Sequence, residues 1–167
     1  MNHLKFTAKP FAECVDFCMM LDKVCFPEEM WLESEDVTEL INAQAKCIVV
    51  SHNNIEIGLG MYVSDKKAEL LLHGADQYFI PIEGCAYSYS EAIHPDFQNK
   101  GIGTKLLQEI ANEVKKEGYK FLSAHARMRH GWNLGRKSSL RILDARTIHD
   151  FWEDPDEPVQ YQIAEVA

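Results

Sequence analysis

The chain has 167 residues, of which 46% are hydrophobic and 26% charged. That length and balance describe a globular chain with enough apolar material for a core, and exclude disordered and fibrous classes. The net charge of -9 excludes a uniformly basic surface of the kind that binds DNA, RNA or anionic membranes. The charge is unevenly placed. Residues 1–93 hold 6 bases and 15 acids, residues 94–150 hold 11 bases and 6 acids, and residues 151–167 hold 5 acids and no base. No stretch approaches the roughly 20 apolar residues of a membrane helix. Lys5 and Lys9 bracket too few apolar residues for a secretory signal. Cys14, Cys18, Cys25, Cys47 and Cys85 read as reduced thiols of a cytoplasmic protein, and no CxxC or HxxxH pair joins them, so no metal is expected.

In chain order, Leu4, Phe6 and Thr7 predict a first strand. Pro10 opens a helical stretch in which Phe11, Val15, Cys18, Met19 and Cys25 recur at helical spacing. Pro27 ends it. An acidic segment follows, with Glu28, Glu29, Glu33, Glu35, Asp36 and Glu39 and no base. Ser34 or Asp36 caps a helix predicted over 37–45. Cys47 to Ser51, the turn residues His52-Asn53-Asn54 and the alternating Ile55 to Val63 predict a hairpin. Residues 64–84 are irregular, with a short strand or turn at Leu70–Leu72. Cys85 to Ile93 is a strand. Leu106, Leu107, Ile110, Ala111 and Val114 form the apolar stripe of a helix over 103–117, closed by Gly118. Tyr119 to Ala126 is a strand, 132–143 a helix, and 147–152 and 159–166 paired strands around an acidic turn. This order predicts one mixed α/β (α+β) domain over 1–167, with six to seven strands and about four helices.

The chemistry lies in Ala92-Ile93-His94-Pro95-Asp96-Phe97-Gln98-Asn99-Lys100-Gly101-Ile102-Gly103-Thr104-Lys105-Leu106-Leu107. A strand, a short loop with two glycines and an amphipathic helix make an anion-binding device. The first helical turn offers unpaired N–H groups and a partial positive charge. Gly101 and Gly103 remove the Cβ atoms that would keep a diphosphate away, and Lys100 and Lys105 add charge. The loop is neither GxGxxG, since position 106 is Leu, nor a P-loop.

Ile-x-Pro followed by Gln-x-x-Gly-x-Gly resembles the signature of the GNAT superfamily of N-acetyltransferases. Ile93, Pro95, Gln98, Gly101 and Gly103 fill it in register. The resemblance implies a GNAT-like sheet in which two neighbouring strands splay to hold CoA, with acetyl-CoA as co-substrate and no metal. It implies that Ala92 and Ile93 present backbone groups to the pantetheine arm. Gln98, Asn99, Lys100, Gly101, Ile102, Gly103 and Thr104 then wrap the pyrophosphate. Asn133 resembles the Asn that begins the family's next helix and touches CoA. Many relatives carry a tyrosine acid about seven residues later, where this chain has Leu140, with Ser138 and Ser139 beside it.

The implied reaction is direct attack of a primary amine on the thioester. Glu91, on the strand before the loop, is the candidate base, with Tyr87 and Tyr89 at the same alternation parity and His125 as a second candidate. A strand bulge would change which face Glu91 occupies. By family analogy the acidic stretch 28–39 lines the acceptor site, so a cationic small molecule or a protein amine is expected. Two alternatives remain. One is a catalytically weak acetyl-CoA sensor or scaffold, motivated by Leu140. The other is a transferase acting on a tRNA-linked substrate through the basic run of Arg127, Arg129, His130, Arg136, Lys137 and Arg141. A nucleic-acid partner is disfavoured by the net charge, no membrane partner is expected, and a homodimer is compatible with the sequence.

Overall fold

A computed structural model describes residues 3–128, 139–151 and 157–166. Its strands are β1 (Leu4–Pro10), β2 (Lys46–His52), β3 (Ile55–Ser64), β4 (Cys85–Ile93), β5 (Phe121–Arg127), β6 (Arg141–Ile148) and β7 (Val159–Glu165). Its helices are α1 (Val15–Cys25), α2 (Ser34–Asn42), α3 (Asp65–Leu71) and α4 (Ile102–Lys116). The seven strands form one sheet in the order β1-β2-β3-β4-β5-β7-β6. All neighbours are antiparallel except β4 and β5, which α4 connects as a parallel pair.

Each face of the sheet carries its own core. Cys47, Val49, Leu59, Met61 and Tyr87 pack with Cys18 and Leu21 of α1 and with Ala68 and Leu71 of α3. Ile48, Val50, Tyr62, Ala86 and Leu122 pack beneath Leu106, Leu107, Ile110 and Val114 of α4. The β2–β3 hairpin turns through Asn53 and Asn54, both left-handed at φ 52° and 65°. Asn tolerates that region through local side-chain bonding, so the turn matches the strand twist. Gly118, at φ 89°, follows the end of α4. All five cysteines are free thiols. No described helix is long and apolar enough to cross a membrane.

Three expectations are corrected. The helix predicted over 37–45 begins at Ser34, because Glu33 is the cap and exchanges hydrogen bonds reciprocally with Asp36. The irregular segment after β3 contains α3. Ser64 accepts the Lys67 N–H at its start, and the buried Asp65 accepts from Ser123 Oγ at 2.7 Å and Ile82 N–H at 3.2 Å. Seven residues show too little periodicity to reveal such a helix; long-range bonds to Asp65 hold it. The helix predicted over 132–143 ends in strand, since 141–148 pair with β7 as an edge strand. Its earlier residues lie outside the described ones, as does the tip of the acidic turn. β6 therefore starts six residues before the strand predicted at 147.

Close approach of α4 to β3 requires one glycine. A Cβ at Gly60 would stand 2.5 Å from Ile110 Cδ1 and 3.3 Å from Leu106. Gly60→Val should therefore overpack this interface and destabilise the fold by roughly 1–3 kcal/mol. A lower urea midpoint at unchanged slope would show this, and an unchanged midpoint would refute it.

Candidate active site

β4 and β5 begin as a regular pair. Their register runs from Cys85↔Phe121 to Ser88↔Ala124 and stops. On the other edge of β4, Met61 faces Ser90 while Tyr62 faces Ser88, so Tyr89 is an inserted residue. A bulge of this kind bends its strand and increases the local twist. Ser90 to Ile93 consequently keep their β3 partners but have no β5 partner, while His125 to Arg127 pair with β7. The result is a gap between two neighbouring strands.

The bulge also reverses side-chain parity. Tyr87 and Tyr89 belong with the α1–α3 face. Glu91 pairs opposite Gly60, which faces α4, and residues opposed across a ladder share a face. The shared parity expected of Tyr87, Tyr89 and Glu91 is thereby corrected. Ser88, on the α4 side before the bulge, donates from Oγ to Glu91 Oε1 at 2.8 Å. Glu91 also lines the cavity described below, so it stands at the gap itself.

Beyond β4 the loop closes on itself. Gln98 Nε2 donates to the Ile93 carbonyl at 2.8 Å, and Cys25 Sγ approaches the same oxygen at 3.4 Å. Lys100 Nζ donates to the Asp96 carbonyl at 2.8 Å and lies 5.3 Å from the centre of the Phe97 ring. Asn99 and Gly101 are both left-handed, at φ 58° and 75°. Gly101 caps α4, and Ile102, Gly103 and Thr104 form its first turn. Ala92 and Ile93 thus lie at the open end of β4, with Gln98 to Thr104 immediately beyond. Asn133 lies outside the described residues.

Gly103 differs from Gly60. Nothing lies within 4 Å of the Cβ it lacks, and its φ is not left-handed. Glycine in a helix is less stable than alanine by up to about 1 kcal/mol, and no contact among the described residues excludes a side chain here. The open space lies over the helix N-terminus, where unpaired N–H groups favour an anion. The first turn of α4 therefore presents its N–H donors to open space.

On the α1–α3 side, the gap opens into a cavity of about 400 Å³. Phe26, Met30 and Leu32 wall it after α1, and Leu71, Leu72 and Ala75 wall it at the end of α3. Behind it lies a fixed chain of polar contacts. Tyr87 OH is 2.8 Å from His125 Nδ1, and His125 Nε2 is 2.9 Å from Asp76 Oδ2. Arg146 pairs with both Asp76 oxygens. Burial opposes ionisation of Asp76, but the Arg146 and His125 hydrogen bonds outweigh it and hold the carboxyl below its usual range. An ionised Asp76 only accepts, so His125 carries its proton on Nε2 and accepts a hydrogen bond from the Tyr87 hydroxyl at Nδ1. Burial against Phe151, with ring centres 4.3 Å apart, pushes the imidazole down to about 4, despite the opposing pull of Asp76. His125 is engaged on both nitrogens, which sequence pattern alone does not reveal, because Asp76 lies 49 residues away in an irregular stretch.

Leu140 is not on a helix. It precedes β6 and packs against the core beneath α4. Of the basic run, Arg127 pairs with Glu157 at 3.5 Å and Arg141 with Glu165 at 2.6 Å. Arg129, His130, Arg136 and Lys137 lie outside the described residues.

β4 and β5 are thus a splayed parallel strand pair with the glycine-capped start of α4 at its mouth. The sequence pattern of the acetyltransferase (GNAT) family matches residues 15–131. The chain belongs to this family and is an acyltransferase. Solved structures agree on the fold. The ribosomal-protein-S18-alanine N-acetyltransferase from Escherichia coli superposes with a TM-score of 0.67 at 13% identity, covering 98% of this chain and 94% of that one. An acetyltransferase from Salmonella typhimurium, solved with its cofactor acetyl-CoA, gives 0.65 at 13% identity over 99% and 95%. A GNAT family acetyltransferase from Elizabethkingia anophelis with acetyl-CoA bound gives 0.61 at 17% identity over 99% and 98%. No curated protein matches the sequence.

The low His125 value has a consequence for stability. The unfolded imidazole takes up a proton near pH 6.5, whereas the folded one does so only near 4. The His125 contribution is therefore complete above pH 6.5 and declines as pH falls from 6.5 toward 4. His125→Gln should flatten the unfolding midpoint across that window in a pH series. A wild-type slope retained by the variant would contradict the assignment.

Proposed function

We propose that residues 1–167 form one N-acetyltransferase domain, which transfers the acetyl group of acetyl-CoA to a primary amine by direct attack within a ternary complex. The observation that carries this reading is the gap between β4 and β5. On the α4 side it meets a helix N-terminus whose second residue, Gly103, leaves open space over the N–H groups. On the other side it meets an apolar cavity. One opening thus joins a site for a polyanion to a site for a second substrate.

Gln98, Asn99, Lys100, Gly101, Ile102, Gly103 and Thr104 hold the pyrophosphate, mainly through N–H groups. Asn99 and Gly101 supply the left-handed turns and Gln98 clasps the loop to Ile93. The pantetheine arm runs along β4 past the bulge, beside Ala92 and Ile93. Asn133 is assigned to the same arm on the family resemblance alone.

Glu91 is the base. It takes a proton from the ammonium group of the acceptor, either directly or through water. The neutral nitrogen then attacks the acetyl carbonyl; the new C–N bond forms and the C–S bond breaks. The nitrogen, cationic once the C–N bond has formed, releases its second proton to water, and the departing thiolate takes a proton from solvent. Two features support the choice of Glu91 over His125: its position at the gap, and the engagement of both His125 nitrogens.

The test is acetyl-CoA binding by calorimetry, followed by CoA release with an amine panel. Gly103→Ala should raise the acetyl-CoA dissociation constant at least tenfold, while leaving the unfolding midpoint unchanged or higher. Normal acetyl-CoA binding by this variant would remove the loop from the site. Glu91→Gln should lower kcat by about 10²–10⁴-fold, the range of general-base contributions, with acetyl-CoA affinity retained. Tight acetyl-CoA binding with no turnover by the wild type would favour the sensor reading that Leu140 motivates.

A further inference from the structure

We propose that the acceptor is a primary amine on an apolar body, aromatic or branched aliphatic, and that Asp22 receives its ammonium group on entry, before Glu91 takes the proton. The inference rests on the acetyl-transfer reading above and concerns only the second substrate.

The walls of the cavity carry it first. Apart from residues of β4 and β5, the described lining is apolar at every position but one, and that one is Asp22. Asp22 and Glu91 are the two acids among the described lining residues. Glu91 stands at the gap where transfer occurs, so Asp22 is the carboxylate left to the acceptor side.

The acidic segment expected to face the acceptor is directed elsewhere. Glu33 and Asp36 cap α2, and Glu39 Oε2 bonds His73 Nε2 at 2.8 Å. Glu28 and Glu29 are exposed and outside the cavity. From that segment the cavity receives Met30 and Leu32. A polyamine would need several carboxylates spaced along its length, and beyond Asp22 and the transfer-site Glu91 the described lining holds none. An aryl or branched alkyl group would instead bury its surface against Phe26, Leu32, Leu71 and Leu72.

Asp22 is also prepared for a cation. It is 5% exposed, and its Oδ2 accepts the Leu32 N–H at 3.0 Å, which fixes the carboxylate in place. Its described polar neighbourhood is that N–H and the charge of Asp36, with no cation, and burial raises its affinity for a proton. A buried carboxylate without a counter-ion gains most from a ligand that supplies one.

The test uses the full chain with acetyl-CoA and two amine classes, 2-phenylethylamine and 3-methylbutylamine against spermidine and putrescine. CoA release and product mass are measured. The monoamines should show at least tenfold higher kcat/KM. Asp22→Asn keeps an oxygen for the Leu32 N–H. It should raise the monoamine KM at least tenfold, with acetyl-CoA affinity unchanged. Calorimetric titration of 2-phenylethylamine into CoA-loaded wild type gives a second measure that needs no variant, and binding tighter than spermidine is expected. Preference for the polyamines, turnover of neither class, or an unchanged monoamine KM in a folded Asp22→Asn protein would each overturn the inference. Failure of the wild type to bind acetyl-CoA would instead remove the underlying acetyl-transfer reading.

Discussion

The site depends on one inserted residue. Without Tyr89, β4 would continue its register with β5, and the sheet would close where it now opens. The insertion separates the strands past Ser88 and moves Glu91 to the α4 side. It leaves Tyr87 on the face of the apolar cavity. Ladder hydrogen bonds absent from this gap are compensated elsewhere. β5 pairs along its whole length with β7, and the β4 end is held by β3, by Gln98 and by Cys25. A gap bounded by well-paired strands is a rigid opening, as a site that orients two reactants requires.

The glycines on the two sides of β4 do different physical work. Gly60 is required by packing, because α4 lies against it and a Cβ would collide with Ile110. Gly103 meets no internal neighbour, and the space above it is open. The contrast separates a residue fixed by the fold from one that the fold alone does not explain. The same distinction applies to the two buried acids near the cavity. Asp76 is neutralised by Arg146 and holds His125. Asp22 holds only a backbone N–H among its described bonds.

Charge distribution takes on a spatial meaning in this arrangement. The net negative charge of residues 1–93 reads as an acceptor field in the sequence, yet the acids of α2 and its approach serve capping, pairing and solubility. The cavity receives one carboxylate from α1. The positive balance of residues 94–150 is partly internal as well, since Arg127, Arg141 and Arg146 all pair with acids of the chain. At the loop the positive end is the start of α4, and a helix N-terminus acts over short range.

Local pattern was sufficient for much of this protein. The amphipathic stripe of α4, the Asn53-Asn54 hairpin, the extent of β4 and the glycine loop were all legible, because each depends on residues adjacent in the chain. Gly101, Gly103 and Gln98 could be placed at a helix start from spacing alone. Three things were decided by tertiary structure. α3 forms because Asp65 binds Ser123 and Ile82, contacts that no seven-residue window contains. The parity of Glu91 depends on a bulge defined only by its β3 partners. The apolar character of the cavity comes from single side chains of α1, α3 and the segments after them, brought together across the chain. The sequence by itself determined the class of fold and the glycine turn that opens α4, since both follow from periodicity and backbone freedom. Which face each acid occupies was left to the packed sheet, because pairing partners distant in sequence set the register.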